Sequence, residues 1–288
     1  MQVEVSIVNA FVDKEKGGNP AGIVLQADQF SQSEKQEIAA KAALSETAFV
    51  SNSDTDTFKL EFFTPSRQIA HCGHATIATF NHLLDQKLIG DGLASKETID
   101  GSRKILIKDS VVYMEQLAPT YTDITHLKDR VLASLGLSKD DLCFEPLLVN
   151  TGNNFVVVGV KDTSILEAIE PRQDLIGDIS EELDLIGYYV FTQTTVGSDR
   201  DATTRMFAPR FAIPEEAATG MAAGPLACVL HDKLNIRKDK MLIEQGAYMK
   251  PASPSLITVT LDVDGDNIVS LMAGGKAKKM EDILVNLK

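Results

Sequence analysis

The chain lacks any run of about 18 or more apolar residues, so no segment is expected to cross a bilayer as a helix. A basic leader is missing too: "MQVEVSIVNAF" alternates polar and apolar residues with an early Glu, and a cytoplasmic location is the expectation. Cysteines are few and scattered. Cys72, Cys143 and Cys228 form neither a paired framework nor a CxxC metal pattern, so reduced thiols are expected. Positive charge is in deficit, 28 Lys and Arg against 41 Asp and Glu for a formal net charge of −13, which argues against a nucleic-acid phosphate track or an anionic membrane surface. What is there is a 288-residue globular chain, 44% hydrophobic, long enough for two domains with substantial cores.

The β-branched runs "VEVSIVNAFV" and "AGIVLQ" flank the turn-rich "DKEKGGNP", which predicts a β-hairpin with an ordered tip. Ser31 with Glu34 makes a capping-box pattern ahead of "KQEIAAKAAL" and predicts a helix over about 32–43. "TAFVS" and "TFKLEFFTP" read as two strands paired antiparallel. Then "HCGHATIAT" opens a stretch, Ala75 to Leu84, with no formal charge, which predicts a helix that must be covered on nearly all sides. "KETID", "KILIKD" and "VVYMEQL" read as strands, and Pro119 marks a break.

The second half repeats this order. "LLVNTGNNFVVVGV" answers the first strand and turn, a helical region lies near "PRQDLIGDISEEL", and "YYVFTQT" and "ATTRMFAP" answer the strand pair. A second Gly turn then opens the uncharged "TGMAAGPLACVL". Pro65 to Gly73 is 8 positions and Pro209 to Gly220 is 11, a three-residue insertion in one connecting loop. The order of elements repeats rather than the residues. The expected fold is α+β: two similar lobes, each an antiparallel or mixed sheet wrapped around a central helix and related by a pseudo-twofold. The first lobe covers 1–118, with the last ten or so residues, about 278–288, free to return to it; the second covers 119–277. Pro225 conflicts with a helix starting at Met221, so either the regular helix begins near Gly224 or its start is distorted.

A cleft between two such lobes is a natural place for a small-molecule site. Both Gly turns open central helices whose first N–H groups and positive dipole ends would hold a carboxylate without a cationic side chain. Three readings of "HCGHATIAT" compete. A metal site from His71, Cys72 and His74 lacks a fourth ligand at a recognisable spacing, and no metal is expected. Cys72 as a nucleophile gains from the helix start, but no Asp or Glu lies close by to orient either histidine. The third reading makes Cys72 a small buried hydrophobe and His74 a polar helix-start residue. Glu46, in "ALSETAFVS", is the more suggestive carboxylate. It sits between an apolar helix end and a β-rich strand, where partial desolvation suits it to act as a base. Glu215 and Glu216, ahead of the second Gly turn, are a further candidate pair, or else charges favourable to a helix N-terminus.

Taken in order, "GGNPAGIV", "LSETAFV", "FFTPSRQIAHCGHATIAT", "FAPRFAIPEEAATGMAAG" and "AGGKAKKMEDILV" resemble the PhzF-like family, named for the phenazine-biosynthesis isomerase, across nearly the whole chain. The resemblance implies a diaminopimelate epimerase-like fold and cofactor-independent proton transfer on a small carboxylate, with Glu46 as the base. It further implies that His74 lines the pocket and assists the base, that the amides of Gly73 and Gly220 hold the carboxylate, and that Ala75 binds substrate. Asn19, on a segment bordering the site, Thr219 and Met221 are further substrate-binding positions, Glu216 assists, and the protein is expected to be a homodimer. The second lobe departs from the family pattern of Asp followed by Pro-Ala-Thr-Gly-Ser, having Glu216 and Met221 at the Asp and Ser positions. Glu extends the acid by one methylene, and Met removes a hydroxyl. A substrate different from the phenazine precursor is therefore expected, and a noncatalytic carboxylate binder on the same scaffold is the alternative. The epimerase relatives use one cysteine from each lobe; here Cys72 occupies the first position and Thr219 the second, which argues against a two-thiol racemase.

Overall fold

The computed structural model describes residues 1–99, 101–195 and 199–287. The chain divides into two compact units, 1–115 with 274–288, and 116–273.

The first unit opens with the hairpin β1 (Gln2–Ala10) and β2 (Asn19–Val24), paired antiparallel. Helix α1 (Gln32–Ala42) follows. Its Ser31 and Glu34 cap each other reciprocally, as the pattern predicts, and Ala43 ends it in a left-handed conformation. Next come β3 (Thr47–Ser51), β4 (Phe58–Phe63), the short β5 (Gln68–Ile69), α2 (Gly73–Asp85), β6 (Gly92–Thr98), β7 (Gly101–Lys108) and β8 (Val111–Leu117). Strand β6 takes in most of "KETID", whose last residue, Asp100, lies outside the described residues.

In the second unit β9 (Thr120–Asp123), α3 (Lys128–Leu135), β10 (Leu142–Asn150), β11 (Asn154–Val160), α4 (Thr163–Ala168) and α5 (Gln173–Glu182) lead to β12 (Gly187–Thr192) and β13 (Ala202–Phe207). Then follow α6 (Gly220–Asp232), β14 (Lys240–Gln245), β15 (Ser255–Asp264), β16 (Asn267–Gly275) and finally β17 (Ala277–Asn286).

Strand β17 belongs to the first unit and pairs antiparallel with β1, from Gln2↔Asn286 to Ala10↔Ala277. From there the pairings run β1 with β2 antiparallel, β2 with β3 parallel, β3 with β4 antiparallel, β4 with β6 parallel, and β6 with β7 antiparallel. The second unit repeats the series. Strands β9 and β10 are antiparallel, β10 and β11 antiparallel, β11 and β12 parallel, β12 and β13 antiparallel, β13 and β14 parallel, and β14 and β15 antiparallel. Each parallel step needs a crossover, and helices supply the first in both units: α1 between β2 and β3, α4 with α5 between β11 and β12.

Each unit buries one helix almost completely. Residues Gly73 to Leu83 of α2 are all buried, and the helix packs on β1, β2, β3 and β17. Its polar residues are satisfied internally. Thr76 and Thr79 donate to Cys72 and Ala75 carbonyls at 2.6 and 2.7 Å, and Asn81 donates to Ile77 and Gly275 carbonyls at 2.8 and 3.3 Å. In α6 only Met221 and Asp232 are not buried, and the helix packs on β11, β12 and β15.

The opposite face of each sheet is covered by the remaining helices. Val3, Val5, Val24, Phe49 and Val285 join Ile38 and Ala39 of α1, while Val156, Val158 and Val160 join Val131, Leu135, Ile176 and Ile179 of α3 and α5. The two-residue period of β11 therefore places alternate valines in that layer, and burying each contributes about 1.5–3 kcal/mol.

The helix after the second Gly turn begins at Gly220, and Pro225 lies inside it. Of the two starts that the sequence left open, the late one at Gly224 is ruled out. The first turn is tightened instead: Ala222 and Ala223 both donate to the Thr219 carbonyl, at 3.0 and 3.1 Å. Among the described residues no helix is long and apolar enough to cross a membrane.

Candidate active site

Glu46 stands one residue before β3, and its carbonyl accepts from the Gly22 N–H at 3.0 Å, on the line where β2 and β3 pair. A Cβ on Gly22 would lie 2.9 Å from Thr47 Oγ1 and 3.1 Å from both Leu44 and Val5. Only glycine permits that approach, so the backbone of Glu46 is fixed by the strand pairing.

The Glu46 side chain is 12% exposed, and its Oε2 lies 3.3 Å from Nε2 of His74, which is 5% exposed. Oε2 is buried and has no hydrogen-bond partner. Cys72 Sγ lies 3.5 Å from the other ring nitrogen, His74 Nδ1. Carboxylate, imidazole and thiol therefore form a compact cluster, one donor atom of each lying within 4.8 Å of the other two. The expectation that no acid lies close enough to orient a histidine is overturned. Glu46 is 28 positions before His74, and the packing of α2 on β2 and β3 closes the gap.

Helix α2 has extended Cys72 as its N-cap, with no side-chain cap, and the Thr76 N–H returns to the Cys72 carbonyl at 3.2 Å. The amides of Gly73, His74 and Ala75 precede that first helical bond, at the positive end of the helix dipole. Asn19 is buried at the head of β2, three residues before Gly22.

Sequence reasoning missed the support behind this turn. Lys96 on β6 is fully buried; its Nζ donates to Thr76 Oγ1 at 2.6 Å and to His71 Nδ1 at 3.2 Å, and lies 5.0 Å from the centre of the Phe62 ring. Thr76 passes the contact on to the Cys72 carbonyl. Burial, together with the Lys96 and Arg103 cations, pushes the His71 pKa down to about 3. His71 is therefore a neutral acceptor at physiological pH and takes no part as an acid. A lysine within an alternating strand gives no local sign that its amine turns inward.

The second unit builds its corner differently. Gln245, at the end of β14, is fully buried; its Oε1 accepts from the Thr219 N–H at 3.1 Å and from the Tyr189 hydroxyl at 3.0 Å. Its Nε2 donates to the Glu216 carbonyl at 2.7 Å and to Thr219 Oγ1 at 3.2 Å. Burial pushes the Tyr189 pKa up, so this phenol stays a donor. The Thr219 hydroxyl donates to the Glu216 carboxylate.

Gly220 is buried, and its carbonyl accepts from Gln116 Nε2 at 2.9 Å. Met221 is partly exposed, with Asn153 Nδ2 at 3.6 Å from its sulfur. Glu215 is a structural residue. It pairs with Arg205 through both oxygens, at 2.8 and 2.9 Å, while Arg205 Nη1 holds the Leu166, Glu167 and Ile169 carbonyls around the end of α4.

The pairing registers align the two units residue by residue. Thr47 opens β3 opposite β2 as Gly187 opens β12 opposite β11, so Ile186 occupies the place of Glu46. Counted from the first helical glycine, Thr219 and Met221 occupy the places of Cys72 and His74. The acid and imidazole of the first corner are replaced by two apolar side chains in the second.

Comparison with known proteins adds the lineage. The chain is 30% identical over 289 residues to an uncharacterized isomerase of Clostridium acetobutylicum, covering 94% of this chain and 93% of that one. The structure superposes on the crystal structure of a PhzF-family phenazine biosynthesis protein from Bacillus anthracis with a TM-score of 0.90, 25% identity and full coverage of both chains. A hydroxyproline epimerase from Agrobacterium vitis, solved with trans-4-hydroxy-L-proline bound, shares the fold at a TM-score of 0.60 and 12% identity, over 99% of this chain and 92% of that one. The pattern defining the PhzC-PhzF family of phenazine biosynthesis-like proteins matches residues 8–282, and the chain belongs to that family.

Proposed function

We propose that the protein is a cofactor-independent isomerase that moves a proton on a small carboxylate-bearing metabolite, with Glu46 as the general base. The observation that carries this reading is the buried Glu46 Oε2, uncommitted to any hydrogen bond and 3.3 Å from His74 Nε2. A carboxylate held this way has a lone pair to offer a substrate C–H, and the neighbouring imidazole shares the proton once it is taken. The amides of Gly73, His74 and Ala75 hold the substrate carboxylate, as expected of a helix start, and Asn19 borders it. Glu216 is assigned the assisting acid role, and Thr219, Gly220 and Met221 further substrate contacts. The names of the isomerase and epimerase relatives support the reaction type.

The test is to incubate cyclic and unsaturated carboxylates in deuterated water with the wild-type chain and with Glu46→Gln. Wild type takes up label and the variant does not; label uptake undiminished in Glu46→Gln removes Glu46 from the mechanism. The bond from Thr219 to the Glu216 carboxylate favours a second reading, because it leaves that acid engaged: a binder of small carboxylates without turnover. Calorimetry against the same compounds decides, since tight binding without label exchange supports the binder and any exchange excludes it.

A further inference from the structure

The cluster of Glu46, His74 and Cys72 presents a carboxylate oxygen, an imidazole nitrogen and a thiol sulfur, one from each residue, all within 4.8 Å of one another. The donor mix matters more than the count. Magnesium and calcium ask for oxygen ligands alone, whereas nitrogen with sulfur and one carboxylate suits zinc and similar ions. The spacing also fits. Two donors held about 2.0–2.1 Å from a tetrahedral zinc ion stand roughly 3.3 Å apart, and Glu46 Oε2 stands 3.3 Å from His74 Nε2. The sulfur must move, because it now faces Nδ1 at 3.5 Å. Rotation about the single Cα–Cβ bond of Cys72 supplies a shift of about 1 Å or more. The site is also pre-screened from water: Glu46 Oε2 is buried without a hydrogen-bond partner, so an ion would not have to displace one.

We propose that Glu46, His74 and Cys72 chelate a thiophilic divalent cation of the zinc class in a three-ligand site with its fourth position open. On binding, the thiol gives up its proton to solvent and the sulfur pair forms the bond to the ion; His74 binds through a neutral nitrogen and Glu46 through its carboxylate. One proton leaves for each ion, so affinity falls as pH falls. Two of the three ligands are the groups assigned to proton transfer. Occupancy therefore blocks catalysis, a consequence that rests on the function proposed above, whereas binding itself does not.

The experiment titrates the chelator-treated full chain with zinc chloride by calorimetry, without substrate, in two buffers of different ionisation heat. One equivalent binds with release of a proton; Cys72→Ser and Glu46→Gln each weaken binding by at least about tenfold; Cys143→Ser leaves it unchanged. In parallel, cobalt(II) added to the wild-type chain gives a thiolate-to-metal charge-transfer band. No saturable one-equivalent binding, unaltered affinity in a folded Cys72→Ser, or bound cobalt without a thiolate band overturns the proposal. The cobalt spectrum needs no variant, so a Cys72→Ser chain that fails to fold does not blunt the test. Label exchange that survives in Glu46→Gln sinks the proposed reaction while leaving the zinc result to stand or fall alone.

Discussion

At the start of α2 a carboxylate, an imidazole and a thiol cluster together, and the carboxylate oxygen nearest the ring has no hydrogen-bond partner. At the start of α6 the equivalent backbone turn carries isoleucine, methionine and threonine in those places, and a nearby acid, Glu216, accepts from Thr219 while Gln245 ties the loop together. The same succession of strand pairings builds both corners. What separates them is satisfaction. The first corner keeps a polar group desolvated and uncommitted, which costs stability and leaves it reactive; the second commits its polar groups to one another and gains rigidity. On the function proposed above, the two copies of this turn divide the labour.

The sharpest way to break that contrast is to remove the acid from each corner in turn. Glu46→Gln lowers the rate of deuterium uptake by about 100- to 10,000-fold. Glu216→Gln, which still accepts from Thr219, lowers it by no more than about tenfold in the same assay. Equal losses in the two variants would end the division proposed here. Next in size is Gln245→Ala, which strips acceptors from the buried Thr219 N–H and Tyr189 hydroxyl. It destabilises the chain by about 2–4 kcal/mol in denaturant unfolding. Gly22→Ala probes how firmly strand pairing seats Glu46. The added methyl presses on Thr47 and lowers label uptake by about tenfold or more, with a smaller effect on the unfolding midpoint.

The last effect is a slope rather than a step. His71 has its folded pKa held at about 3, below its ordinary 6.5, so between these values the unfolded chain binds the extra proton. Stability is therefore lost as pH falls from about 6.5 toward 3, by up to about 1.4 kcal/mol per pH unit from this residue. His71→Gln flattens that part of the profile in unfolding measured from pH 7 to 4.

Much of this architecture was legible in the residues. Ser31 with Glu34 marked the start of α1, the β-branched runs marked β1 and β11, and the uncharged runs after the two glycines marked the buried helices. Each is a local signal, decided within one turn or one strand. The short amphipathic α3 and α4 carried too little pattern to stand out. Long-range contacts were hidden for a different reason. Gln245 sits 26 residues beyond Thr219, and Lys96 sits 25 beyond His71; nothing in either neighbourhood says which way the side chain points. Glu46 was visible as an acid in apolar company. Its place beside His74 depends on a parallel pairing that no short window contains.

One further consequence follows from the pairing of β17 with β1. During synthesis the earliest segment of the chain leaves the ribosome with its outermost strand partner still untranslated. Until residues 277–286 emerge, the nine residues of β1 have an open hydrogen-bonding edge, and the layer over α1 lacks Val285 and Leu287. The half that is made first is therefore finished last, and nascent or truncated chains present a ready template for aggregation on that side.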